Sequence, residues 1–118
     1  MIFRTTQKEI RRSYKKVISV NYCGLQGMLS CMNPIAYTVR EEGWASDIYE
    51  VSPDIAISTG YSPFGNVKPA YEVVKKYEDM ATNICDKTTA FNERSELLKE
   101  VIEKFIAEVC ENETRILL

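Results

Sequence analysis

Histidine is absent from the 118 residues. That excludes a Ser-His-Asp or Cys-His nucleophile system within the chain, and with it any histidine general base or histidine metal site. Carboxylates, lysine and tyrosine still support acid–base chemistry, but the balance moves away from an enzyme and no catalytic residue is nominated. The four cysteines, Cys23, Cys31, Cys85 and Cys110, have spacings that match no zinc ribbon, zinc finger or Cys-x-x-Cys redox motif. No metal and no cofactor are therefore expected. No apolar run approaches the roughly 18 residues of a membrane span, and the first residues lack the apolar stretch of a signal peptide. The expectation is a cytoplasmic protein with free, mostly buried thiols and no membrane partner.

What is present is one domain's worth of ordinary globular sequence, taken as a single unit over 1–118. Hydrophobic residues make up 45% and charged residues 27%, which argues against disorder throughout. The charge is unevenly spread. Arg4, Lys8, Arg11, Arg12, Lys15 and Lys16 stand against the single acid Glu9 in the first twenty residues, leaving nine basic and sixteen acidic residues in the rest. A basic start of this kind either packs beside an acidic helix or offers a site to an anionic partner.

Thr6 and Glu9 form a T-x-x-E capping box, and Ile10, Tyr14 and Val17 follow on one helical face. These predict a helix at about 6–17. Asn21 is a candidate cap for a second helix over Tyr22 to Met32, ended by Asn33-Pro34, although Gly24 and Gly27 each cost about 1 kcal/mol in a helix interior. From 35 to 60 the period changes to two. "IAYTVR", "WASDIYEV" and "IAIST", separated by turn residues, predict three strands in an antiparallel meander. Pro69 suits the first turn of a helix running to about 85. A last helix, capped by Asn92, carries Leu98, Val101, Ile102, Phe105, Ile106 and Val109 on a wide apolar face. The expected fold class is α+β, in the order α-α-β-β-β-α-α, with the helices on one face of a three-stranded antiparallel meander.

Residues 60–66, "GYSPFGN", raise the sharpest chemical question. Gly60 and Gly65 have the separation of a phosphate-binding G-x-x-x-x-G-K-[ST] loop, but Asn66 replaces its lysine and Val67 its hydroxyl residue. An antiparallel meander is also the wrong scaffold for nucleotide binding. Two readings remain. Either Gly60, Tyr61, Pro63, Phe64, Gly65 and Asn66 form a stiff loop that presents aromatic side chains to a ligand or partner, or Tyr61 and Phe64 fold inward and close the sheet edge. Trp44, Asp47 and Tyr49 belong to the same candidate surface, with Asp47 and Tyr49 on one side of their strand. A second candidate is the basic surface of Arg4, Lys8, Arg11, Arg12 and Lys15, spaced to track a phosphate backbone or an acidic protein. Against nucleic acid stands the overall pI of about 5.3. Cys23 near a helix start is either an activated thiol or, with Cys31 eight residues on, a core residue.

The segment "GWASDIYEV" followed by "IAISTGYSPFGN" resembles short uncharacterised proteins of low-GC Gram-positive bacteria and their mobile elements. These carry a Gly-Trp, an Asp-x-Tyr and a Thr-Gly-Tyr-x-Pro-x-Gly segment. The resemblance spans Gly43–Asn66 and implies an origin without implying an activity. Together the observations lead to a non-enzymatic interaction or regulatory protein of bacterial or phage origin, most simply with a protein partner. A nucleic-acid-binding or nucleic-acid-mimicking accessory factor and a small-ligand binder at Gly60–Asn66 are the alternatives. The apolar end of the chain suits a homodimer.

Overall fold

Runs of β-branched residues decide the architecture more than the helical signals around them. The computed structural model describes residues 3–21, 27–39, 45–60 and 63–117. Its elements are β1 (Phe3–Arg4), α1 (Gln7–Ser13), β2 (Lys16–Asn21), β3 (Ala36–Val39), β4 (Ala45–Ser52), β5 (Ile55–Gly60), α2 (Tyr71–Lys87) and α3 (Phe91–Leu117). The chain divides into two compact units, one of residues 1–23 and 32–68, the other of 24–31 and 69–118.

The first unit is a five-stranded mixed sheet in the order β1-β3-β4-β5-β2. The expected meander is its middle: β3 pairs antiparallel with β4, and β4 with β5. It is not the whole sheet. β1 adds in parallel to β3, and β2 adds in parallel to β5. The order β-α-β-β-β-β-α-α therefore replaces α-α-β-β-β-α-α.

The physical cause lies in residues 14–20. Thr6 caps α1 as its sequence predicts, accepting the Glu9 N–H at 3.2 Å. The Glu9 carboxylate accepts from the Thr5 hydroxyl at 2.8 Å. But the backbone turns extended at Tyr14, and "KVISVN" forms a strand whose Val17, Ile18 and Val20 are all buried. A strand buried on both sides reads as a continuous apolar run. β-branched residues fit it better than they fit a helix. The helix expected over 22–32 is also absent from its described part, since residues 27–31 form a turn. Residues 22–26 lie outside the described residues.

Alternation gives the sheet two faces. On one, Val17, Ala36, Ile48 and Ala56 pack with Ile10 and Tyr14, which belong to α1 and its end, and with Phe64. The Tyr14 hydroxyl donates to Glu50 Oε1 at 2.7 Å. Burial, reinforced by that carboxylate, pushes the Tyr14 phenol up to about 12.

The second unit is built on α2 and α3, joined by a three-residue link. Val74, Tyr77 and Ala81 of α2 and Leu98, Val101, Ile102, Phe105 and Val109 of α3 are buried. The Tyr77 and Phe105 rings meet edge to face at 5.8 Å, a preferred aromatic geometry. Glu108 accepts from the Tyr77 hydroxyl at 3.1 Å and pairs with Lys76. The turn at 27–31 belongs to this unit: the Gly27 and Met28 N–H groups donate to the Glu78 carboxylate. Among the described residues, no helix is long and apolar enough to cross a membrane.

The Tyr14 environment predicts a pH dependence. Below pH 10 folded and unfolded chains both hold the phenol proton. Between the ordinary 10.0 and about 12 only the folded chain keeps it, so stability falls as pH rises through that window. Urea denaturation at pH 9, 10, 11 and 12 should show this loss, and Tyr14→Phe should make the profile shallower. An unchanged profile in the variant would contradict the assignment.

Candidate functional site

The described end of the glycine-bracketed loop, continued to Val67, is a strap on the edge of the sheet. β2 is an outer strand, and among the described residues no further strand pairs with its outward backbone groups. Residues 64–67 supply the partners. Asn66 Oδ1 accepts the Val17 N–H at 2.9 Å, and Asn66 Nδ2 donates to the Lys15 carbonyl at 3.3 Å. The Asn66 and Val67 N–H groups both donate to the Val17 carbonyl, at 3.1 and 3.2 Å, and the Ser19 N–H donates to Val67 O at 2.8 Å. Phe64 is 3% exposed, inside the core, with its N–H donating to Ser58 Oγ at 3.1 Å.

Each glycine then has a separate reason. Gly60 ends β5 at φ 133°, a conformation open to glycine and strained for other residues. Gly65 lies so close to β2 that an added Cβ would stand 2.3 Å from the Val17 carbonyl oxygen. This spacing imitates a phosphate loop for reasons unrelated to phosphate. The amides of Phe64, Asn66 and Val67 already donate within the unit, so these three N–H groups are not held ready for a phosphate. Of the two directions open to the aromatics, Phe64 takes the inward one, and Pro63 is half-buried beside it. Tyr61 and Trp44 lie outside the described residues, as does Cys23.

The basic residues are shared among β1, α1 and the link from α1 to β2. α1 is seven residues long, so Arg4 sits on β1 and Lys15 beyond the helix end. The Arg11 guanidinium lies 5.7 Å from the centre of the Phe64 ring, within cation–π range. Lys15 faces Asp54 at 4.0 Å, with both side chains exposed, a pairing worth little. Arg4, Lys8 and Arg12 are exposed.

Asp47 and Tyr49 share the sheet face opposite α1. The register adds residues that their own strand does not reveal. Arg4 is opposite Tyr37, Tyr37 is opposite Asp47, and Asp47 is opposite Thr59. Thr59 is in turn opposite buried Val20, so one row crosses all five strands, with Tyr49 and Val39 on the same face to either side. Arg4, Val39 and Asp47 are exposed; Tyr37, Tyr49 and Thr59 are half-buried. Burial raises the Tyr49 phenol above its ordinary value, and the Asp47 carboxylate adds to the rise. The patch offers a cation, an anion, two phenols and an aliphatic side chain on a rigid surface. Among the described residues, no group of three or more His, Cys, Asp or Glu is placed to hold a metal ion.

Comparison with protein-family models, with curated proteins and with solved structures gives no match. The patch is therefore read from its own geometry.

Two variants test these placements. Gly65→Ala forces the strap off Val17 and should lower unfolding stability by about 2 kcal/mol or more, read by urea denaturation; a change within 0.5 kcal/mol, roughly the scatter of neutral surface substitutions, would contradict the close approach. Asp47→Asn removes a negative charge from beside Tyr49. The Tyr49 phenol should then titrate at lower pH, followed by NMR of ring-labelled tyrosine, and an unmoved Tyr49 would show that the two groups do not interact.

Proposed function

We propose that the protein is a non-enzymatic interaction or regulatory protein, of bacterial or phage origin, that binds a protein partner through the sheet face around Tyr37. The observation that carries this reading is the accessible row Arg4–Tyr37–Asp47–Thr59, flanked by Tyr49 and Val39. Tyrosine and arginine are favoured where proteins meet, because a phenol combines apolar area with a hydrogen-bonding tip. The origin rests on the resemblance over Gly43–Asn66.

The mixed charge of the patch favours protein over nucleic acid. An exposed carboxylate in its middle repels a phosphate backbone, whereas a protein surface can match both signs. The basic residues give the nucleic-acid alternative less support than their spacing suggests, since Arg4, Arg11 and Lys15 lie on different parts of the unit. The small-ligand alternative draws little from Gly60–Asn66, whose described amides are largely engaged.

A photoreactive benzoylphenylalanine placed at Tyr37, and separately at exposed Glu100 of α3, tests the reading in a low-GC Gram-positive host. Position 37 should give a discrete protein adduct that Asp47→Arg suppresses. Indistinguishable adduct patterns from the two positions would count against the face as an interaction surface. A gel shift with duplex DNA or RNA whose affinity falls steeply with salt would favour the nucleic-acid alternative instead.

A further inference from the structure

Resting on the reading of the Tyr37 face as a protein-binding surface, we infer that its partner is a second copy of this chain. The argument is one of charge and register. Within the row Tyr37 lies between opposite charges, with Arg4 one strand away on one side and Asp47 one strand away on the other. Strands lie about 4.8 Å apart, and sheets packed face to face lie about 10 Å apart.

Consider two copies facing each other about a two-fold axis that runs along β3. The operation exchanges the two sides of Tyr37 and leaves position along the strand unchanged. Arg4 of each copy then faces Asp47 of the other, Tyr37 meets Tyr37, and Val39 meets Val39. A two-fold axis across the strands would instead set Arg4 on Arg4 and Asp47 on Asp47. The charges therefore select one axis, and the interface is isologous, as closed dimers require. Arg4 and Asp47 have no ion-pair partner among the described residues of their own chain, so each is free to serve a second copy.

Sheet edges offer less to a second copy than this face does. β1 is two residues long, and the outer side of β2 is occupied by the strap. The patch is small, and interfaces at the low end of the size range associate weakly, so dissociation in the range of roughly 10–100 μM is expected.

Sedimentation velocity across a concentration series tests the inference on the wild-type chain, Arg4→Asp, Asp47→Arg and the double variant, with circular dichroism confirming that each is folded. The wild type should dimerise, each single variant should weaken dimerisation at least tenfold, and the double charge reversal should restore it. A wild type that stays monomeric at millimolar concentration overturns the second copy as partner. So do single variants that dimerise like the wild type, or a double variant that is not restored. A monomeric wild type that still gives a discrete cross-link from position 37 leaves the interaction surface standing with a different partner. Loss of both removes the surface itself.

Discussion

The carbonyl of Val17 and the amides beside it set the limits of this fold. β2 is the outermost strand on its side, and an unpaired outer strand is a template for unwanted pairing with other chains. Here the Val17 carbonyl takes two N–H groups from the strap, and the Val17 and Ser19 amides donate back to it. Asn66 acts as a piece of strand in side-chain form, its amide covering both Val17 and Lys15. The same segment sends Phe64 into the core beneath Arg11. Edge closure and core filling thus depend on one short stretch, and Gly65 is the residue that lets it approach.

Closing one edge directs attention to what stays open. The sheet face under α1 is filled by apolar side chains and the Tyr14–Glu50 contact. On the opposite face, burial is complete at Ile18 and Ile57 and gives way toward β3 and β1. There Arg4, Tyr37 and Asp47 come side by side. An arrangement of both charges around a phenol suits neither a metal nor a polyanion. On that arrangement rest the proposals of a protein partner and of a second copy of the chain at this face.

Much of this was legible in the sequence, and the failures have a common cause. The alternation over 35–60 marks β3, β4 and β5, and the stripes of α2 and α3 mark a helical pair, because these are local patterns. The shared face of Asp47 and Tyr49 follows from strand parity alone. β2 was hidden because Ile10, Tyr14 and Val17 keep helical spacing across a helix end, while the strand is fixed by parallel pairing with β5, about forty residues away. Because α1 stops at Ser13, the basic residues are carried by a strand, a helix and the link after it. Arg4 and Tyr37 could not be found as neighbours of Asp47 without the register. "GYSPFGN" resembled a phosphate loop because a steric approach and a strained turn need the same glycine spacing.

Native-state hydrogen exchange at single-residue resolution tests the central claim most directly. If the strap closes the β2 edge, the outward amides of Val17 and Ser19 will be protected to the same degree as the amides that join β4 to β5, despite lying on the outer side of an outer strand. Exchange of Val17 and Ser19 at the rates of a free chain, with β4 and β5 still protected, would show an open edge and contradict the account.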